Sequence, residues 1–403
     1  MLIAYTFEDG VFVDRVAPAP ALSPKDSLPG SRRVTRQSIH LLALALGLAM
    51  ACPAQTVQIL PAERLELPTR IDGNSPSYWT EEGLRLFTST GAPEMTNLAP
   101  NQFGPWESEP VDVGANDHFP LWIEAAWRDG DGTVFGWYHH EPGGVCAGKP
   151  LTAPKIGAVV SFDGGKSITD LGIVLETGEP YDCNSKNEYF AGGHGDFSVV
   201  VDRDNGYFYF FFTNYSGPDE QQGIVTARLA YEDRFHPSGA VRKYYQGEWA
   251  EPGVGGQMTP VYTAAVNWQS AYTDSFWGPA VHWNSHLEKF VMLLNRSCCG
   301  PDFPQEGIYI AQSADPSDPL AWSPPAKLLD LSEIGFRPGF YPQVMGLNWG
   351  ETDTLAGEHA RLYIHGISDW ELVFDKPAAP APPPGTPPPG EGGSAIPNDP
   401  VRR

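Results

Sequence analysis

The feature that most constrains this fold is a repeated pair of apolar, aromatic-rich runs joined by a polar turn. The clearest copy spans residues 197–214, with its turn at 202–206. Related copies lie at 121–140 and 280–296, and weaker ones at 75–89 and 343–365. Alternating β-branched and aromatic residues bounded by Asp, Asn and Gly predict β-hairpins. Their recurrence every ~45 to 75 residues indicates the blades of a β-propeller.

Composition favours one large domain built from strands. The 403 residues include 43 Gly and 40 Pro, and no helix-period stretch competes with the hairpins. Repeat units are expected at 70–113, 114–177, 188–252, 273–332 and 335–374. We therefore predict an all-β fold, a five-bladed β-propeller of four-stranded antiparallel blades. The formal charge of −23 repels phosphate backbones and anionic membranes, so nucleic acid is not an expected partner.

The two ends of the sequence carry different signals. An apolar run at 41–51 follows three arginines and precedes Cys52, which predicts a secretory signal too short to span a membrane. We expect a non-native N-terminal extension at 1–33, a signal peptide at 34–54, the propeller at 55–376 and a Pro-rich disordered tail at 377–403. The expected product is a secreted or periplasmic monomer without a transmembrane segment. Lipidation of Cys52 is the alternative.

Four cysteines remain beyond Cys52. Cys146 and Cys183 fall in two kinds of loop that emerge on the same face of a propeller, so a disulfide between them is geometrically permitted. The adjacent Cys298 and Cys299 cannot adopt ordinary disulfide geometry. A strained vicinal disulfide, two free thiols and a metal or redox pair all remain open. The sequence has no CxxC pair or spaced His ligands, so no structural zinc site is expected.

Several short segments carry a family resemblance. The run Ser-Phe-Asp-Gly-Gly-Lys-Ser at 161–167 resembles the Asp-box turn of sialidase-type propellers, and a longer version spans 313–323. With Gly278 and Pro279 starting an inner strand, the region 70–376 resembles the five-bladed glycoside hydrolases related to family 43 and the invertases. The resemblance implies action on a glycan by acidic residues that converge on a central channel. Trp277 stands where that family's general acid is commonly Glu.

Three carboxylates are the predicted catalytic residues. Glycoside hydrolysis requires one protonated and one ionised carboxyl group on opposite sides of the bond. Glu124 is a charge inside an apolar strand, and burying an unpaired carboxylate is costly. Asp196 is framed by glycine and aromatic residues at the start of the third inner strand, and Asp72 precedes the first. Their alternative roles are turn capping and structural ion pairing.

Other polar and aromatic residues at strand ends are predicted to bind substrate. Such side chains suit sugar hydroxyls or a sugar carboxylate through hydrogen bonds and stacking. The set comprises His139, His140, Glu141, His194, Asp274, Trp277, Arg296, Arg337, Tyr341 and His365. A Ca²⁺ ion in the central channel would suit its oxygen atoms, although no sequence loop encodes such a site. The sequence thus favours a glycoside hydrolase, with a non-catalytic carbohydrate-binding protein or a sialidase-like enzyme as alternatives.

Overall fold

The structure, a computed structural model, describes residues 57–98, 106–178, 180–301, 303–336 and 338–376, and the backbone of residues 7–8 and 11–12. The expected signal peptide, Cys52, the Pro-rich tail and Arg337 lie outside the described residues. Strands β1 (Phe7–Glu8) and β2 (Val11–Phe12) pair with each other. Among the helices that are described, none has the length and apolarity to cross a bilayer.

The remaining strands form five antiparallel sheets arranged as blades. Blade I contains β4 (Ser77–Thr80), β5 (Gly83–Ser89), β6 (Pro93–Leu98) and β7 (Glu107–Pro110). Blade II contains β8 (Leu121–Arg128), β9 (Val134–His140), β10 (Lys155–Ser161) and β11 (Thr169–Leu175). Blade III contains β12 (His194–Asp202), β13 (Tyr207–Asn214), β14 (Gly223–Ala230), β15 (Arg242–Tyr245) and β16 (Glu248–Pro252), with β17 (Tyr262–Thr263) beside β14.

Blade IV contains β18 (Asp274–Asn284), β19 (Lys289–Cys298), β20 (Gln305–Ser313) and β21 (Ala326–Asp330), and β23 (Leu355–Ala356) adds in parallel to β18. Blade V contains β22 (Pro342–Gly346), β24 (His359–Ile364), β25 (Ile367–Phe374) and β3 (Val57–Glu66). The described helices are short: α1 at Leu331–Ile334 and two 3₁₀ turns at Asp219–Gln221 and Tyr231–Asp233. The predicted all-β, five-bladed propeller is confirmed.

The N-terminal strand closes the ring. Strand β3 pairs antiparallel with β25, from Val57 opposite Phe374 to Glu66 opposite Ile367. The first strand of the domain therefore completes its last blade. The predicted fifth unit at 335–374 lacks this strand, because nothing local in the sequence marks a pairing partner about 300 residues away.

The first strand of each blade lies at the centre of the ring. The five inner strands, β4, β8, β12, β18 and β22, meet their neighbours around a common channel. Asn74 joins three blades, since its amide donates to the carbonyl oxygens of Phe197 at 2.8 Å and Pro279 at 3.1 Å. Gln343 accepts a hydrogen bond from the Ser75 N–H at 2.6 Å. Residues distant in sequence thus become neighbours at the channel.

Apolar side chains fill the spaces between blades. The alternating residues Phe208, Phe210 and Phe212 of β13 point towards blade II, where they pack with Trp137 in a fully buried cluster. Burying one such ring contributes ~1.5 to 3 kcal/mol. The interleaved Tyr209 and Phe211 point the other way and pack against blade IV. This period of two explains why the aromatic-rich hairpins form packed blades.

Two local predictions concern turns and cysteines. Disulfides join Cys146 to Cys183 and Cys298 to Cys299. In the Asp-box turn, Asp163 accepts hydrogen bonds from the Ser167 N–H at 3.0 Å and the Ser161 hydroxyl at 2.8 Å. The Asp side chain therefore caps the turn between two outer strands, which is its expected structural role.

Candidate active site

Glu124 and Asp196 both occupy β-bulges in inner strands. Each is skipped by the pairing register of its strand with the next, and Asp196 also has a left-handed φ of 43°. A bulge redirects a side chain out of the regular alternation, and such strain is concentrated at functional sites. The bulges bring carboxylate oxygens of both residues and a ring nitrogen of His139 within 4.8 Å of one another.

Glu124 is the most enclosed of the three predicted carboxylates, at 3% exposure. Its Oε2 accepts the Phe197 N–H at 2.8 Å, and its Oε1 lies against Gly73, where an added Cβ would approach to 2.9 Å. Burial raises the pKa of Glu124 to about 8; His139 opposes this rise and the Asp196 charge adds to it. Glu124 therefore carries a proton at neutral pH.

Asp196 is buried but well supplied with hydrogen-bond donors. The Tyr215 hydroxyl donates to its Oδ2, and the Tyr341 hydroxyl also interacts with its carboxylate. Burial raises the pKa of Asp196, whereas His139 and the two tyrosine hydroxyls lower it. Because hydroxyl donors stabilise the ionised form, we place the proton of the Glu124–Asp196 pair on Glu124.

Asp72 is the accessible carboxylate of the cluster. Its side chain is exposed to solvent, yet the surrounding protein desolvates it, and the charges of Glu141 and Asp196 help raise its pKa to about 6. It is therefore mostly ionised at pH 7. The Tyr341 hydroxyl lies 3.4 Å from Asp72 Oδ1 and also interacts with Asp196. The Tyr341 hydroxyl therefore contacts both carboxylates.

His139 connects the buried carboxylates to the surface. Its Nδ1 lies 3.6 Å from Glu124 Oε1, and its Nε2 lies 3.2 Å from Oε1 of the half-buried Glu141. Burial lowers the pKa of His139, but the Glu141 hydrogen bond and nearby charges outweigh it and raise the pKa to about 9. The Asp196 N–H points at Nδ1 from 3.1 Å, which opposes protonation there. Nε2 therefore carries the ring proton that is donated to Glu141.

An aromatic wall stands beside the carboxylates. Its members pack as one cluster: Phe190, Tyr215, Trp268, Trp277, Phe303, Phe340 and Tyr341. Phe190 stacks on Tyr215 at 4.2 Å, and Trp277 lies 5.7 Å from Tyr341. Because Tyr215 and Tyr341 also contact the carboxylates, the wall and the acidic cluster form one site. Aromatic faces of this kind pack well against the C–H groups of a sugar ring.

The structure places the predicted substrate-binding residues in two groups. His139, Glu141, Trp277 and Tyr341 belong to the site, and His365 stacks against Tyr341 with the rings 6.4 Å apart. The other described residues have structural partners away from it. His140 is hydrogen-bonded to the Pro120 carbonyl oxygen at 3.0 Å, and His194 accepts a hydrogen bond from the buried Lys243 at 2.8 Å.

Asp274 and Arg296 also lie apart from the carboxylate cluster. They form a two-point ion pair with distances of 3.0 and 3.1 Å, and Arg296 packs over the Phe276 and Tyr309 rings. Trp277, the next residue after Phe276, points to the opposite face of the strand and joins the aromatic wall. Strand alternation therefore separates this ion pair from the site, although Asp274 and Trp277 are only three residues apart on one strand.

Trp277 and Tyr341 of the aromatic wall were predicted from the sequence, whereas Tyr215 and the other members were not. Tyr215 directly follows β13, and its position after a long apolar run gave no sign of a polar partner. Phe190, Trp268 and Phe303 come from three separate loops, so only the fold brings them together. A signal for Tyr215 was its position at the end of the strand that pairs with the one carrying Asp196.

The channel lining does not by itself make the expected calcium site. Asn74, Ser198, Gln343 and Asp353 contribute oxygen atoms to a small cavity that Glu124 also lines. Gln343 and Asp353 already accept hydrogen bonds from backbone N–H groups. Asn74 Oδ1 is a buried oxygen that has no hydrogen-bond partner among the described residues. Calcium prefers six to eight oxygen ligands. A calcium ion therefore remains a prediction from the sequence.

Comparison with known proteins yields structural likenesses only. No protein-family model and no curated protein matches the sequence. The fold is similar to an alpha-L-arabinofuranosidase from Lactobacillus brevis, with 13% identity, a TM-score of 0.47 and coverage of 78% of this chain and 95% of the other. An endo-arabinase from Bacteroides thetaiotaomicron has 13% identity and a TM-score of 0.45, with coverage of 76% of this chain and 94% of the other. An exo-beta-1,3-galactanase from Phanerochaete chrysosporium has 10% identity and a TM-score of 0.43, with coverage of 79% of this chain and 64% of the other. The resemblance to five-bladed glycoside hydrolases is one of fold.

Proposed function

We propose that the protein is a glycoside hydrolase whose active site is the Glu124, Asp196 and Asp72 cluster. The observation that carries this proposal is the pairing of two bulged inner-strand carboxyl groups with an accessible third one. Their environments differ, so that Glu124 holds a proton while Asp72 is ionised near neutral pH. A glycosidase needs this division between acid and base.

The roles follow from protonation and access. Asp72 accepts a proton from a water molecule whose oxygen attacks the anomeric carbon. Glu124 donates its proton to the glycosidic oxygen as the carbon–oxygen bond breaks. Asp196 stays ionised, and its charge adds to the burial that raises the pKa of Glu124. His139 lies between Glu124 and the half-buried Glu141: its Nδ1 is 3.6 Å from Glu124 Oε1, and its Nε2 is hydrogen-bonded to Glu141 Oε1 at 3.2 Å.

The aromatic wall supports a carbohydrate ligand. Its rings adjoin the carboxylates, and Tyr341 belongs to both groups. A sugar ring packed on this wall would hold its glycosidic bond near Asp72. The described residues lend no support to the sialidase-like alternative, since Arg296 is held by Asp274 away from the cluster.

A non-catalytic carbohydrate-binding role is the second candidate. The observation that favours it is the low exposure of the acidic pair, 3% for Glu124 and 6% for Asp196. A proton donor must reach the glycosidic oxygen, so a site that stayed this closed would bind sugar without cleaving it. Secretion and a monomeric state remain predictions from the sequence.

The test is a hydrolysis screen with matched amide variants. The full chain is incubated with soluble arabinan, xylan, β-1,3-galactan and aryl glycosides, and released reducing sugar is measured. We expect turnover on at least one substrate and its loss in Asp72→Asn and Asp196→Asn. Binding without released sugar would favour the second candidate. Unchanged turnover in both variants would exclude this cluster as the catalytic site.

A further inference from the structure

We infer that Trp349 and Trp79 form a second carbohydrate-binding site on the face of the propeller opposite the carboxylate cluster. Trp349 is the most exposed large apolar side chain described, at 84% exposure, and its ring lies 5.6 Å from that of Trp79 at an angle of 40°. The inference rests on the proposed function only in taking carbohydrate as the ligand class.

The strand direction places the pair far from the active site. Asp72 precedes inner strand β4, and Trp79 lies near its other end. Seven residues of mostly extended chain separate the two by roughly 15 to 20 Å. Trp349 belongs to the loop after β22, whose opposite end follows Tyr341 of the active site. Both tryptophans are therefore on the far rim.

Hydrogen bonds hold the loop that carries Trp349 and the ring of Trp79 in place before any ligand binds. Glu351 fixes the turn, since its carboxylate accepts hydrogen bonds from the Asn348 N–H and side-chain amide, both at 2.9 Å. The Trp79 indole N–H donates to the Glu351 carbonyl oxygen at 2.6 Å. Glu351 itself is tightly packed, because a Cβ on Gly346 would lie 2.3 Å from it. An ordered aromatic surface binds with little loss of conformational entropy.

A sugar chain fits this surface better than a protein or a membrane does. Within the described part of the chain, most other exposed large apolar side chains, such as Phe162 and Leu320, lie in other blades, and Leu60 lies on the outer strand of blade V. A stable protein interface usually buries a contiguous area. The net charge of −23 disfavours anionic lipid surfaces. The two tilted rings instead offer aromatic faces on which sugar rings stack.

Affinity electrophoresis tests the inference. The full chain is run in native gels containing soluble arabinan, xylan or β-1,3-galactan, and apparent dissociation constants are taken from the retardation. We expect Trp349→Ala to weaken binding to at least one polysaccharide by at least ~5-fold. The matched control Phe162→Ala, another exposed aromatic residue, should bind as the unaltered protein does. Trp79→Phe, which removes the indole hydrogen bond to Glu351, should give a smaller loss.

The outcomes separate this site from the proposed function. Equal retardation of the Trp349→Ala variant and the unaltered protein would overturn the inference. Absence of retardation by all three polysaccharides would do the same. Failure of hydrolysis alone would count against the proposed function and leave the second site standing.

Discussion

Replacing Glu124 with glutamine tests the assignment of the general acid most directly. Glutamine has nearly the same shape, and its amide oxygen can still accept the Phe197 N–H that Glu124 holds at 2.8 Å. The fold should therefore be retained. The variant lacks the proton that a carboxyl group with a pKa of about 8 carries in roughly nine tenths of molecules at pH 7.

The expected loss follows from the chemistry of proton donation. General acid catalysis contributes ~100- to 10,000-fold, so kcat/KM should fall by that factor, equivalent to ~3 to 5 kcal/mol. The loss should be largest for a polysaccharide. It should be smaller for an aryl glycoside with an acidic phenol, because such a leaving group needs less protonation.

The pH profile supplies a second readout. In the unaltered protein, kcat/KM should rise as Asp72 ionises near pH 6 and fall as Glu124 loses its proton near pH 8. The Glu124→Gln variant should lose the alkaline fall and keep the acidic rise. The matched control is Asp353→Asn, a carboxyl group at the same channel that we assign no part in the chemistry. A Glu124→Gln enzyme with full activity, or with its alkaline fall still near pH 8, would refute the assignment.

Three further predictions concern neighbouring residues. Tyr341→Phe removes a hydroxyl that lowers the pKa of Asp72, so the acidic rise of kcat/KM should move to higher pH; an unmoved profile would contradict that contact. Burial raises the folded-state pKa of Asp353 from 3.8 to about 7, so its contribution to stability is full below pH ~4 and lost as pH rises through 7. Asp353→Asn should remove this pH-dependent loss of stability, which amounts to up to ~4 kcal/mol above pH 7. Urea unfolding of both proteins at several pH values measures it, and a stability difference that does not change with pH would count against the raised pKa. Gly73→Ala should lower kcat/KM, because the new Cβ would lie 2.9 Å from Glu124 Oε1 and push that side chain aside. A kcat/KM equal to that of the unaltered protein would show that Glu124 tolerates the shift.

The sequence predicted the blades well because hairpin signals are local. Alternation and turn residues lie within ~20 residues of each other, and the strand period of two fixes which side chains face the next blade. The pairing of β3 with β25 joins opposite ends of the domain and leaves no such local trace. Repetition could indicate a ring but could not show which segment closes it.

The site was predictable where a residue conflicts with its surroundings. Glu124 stands out as a charge within an apolar strand, and Asp196 as a charge among glycines and aromatic residues. His194 looked equally unusual, yet Lys243 from the fourth strand of blade III satisfies its ring nitrogen. Hydrogen-bond partners from other strands decide whether a buried polar residue has a structural role or is available for catalysis. Those partners become visible only when the strands are assembled.

The closing strand also affects how the domain can be made. Because Val57 lies opposite Phe374, the beginning and end of the domain are adjacent in space. During synthesis β3 emerges first and has no partner until the last blade is complete, so its exposed edge must wait unpaired. The same adjacency means that a short linker could join residues 57 and 376, and that new termini opened in a surface loop would give a permuted chain with an unbroken ring.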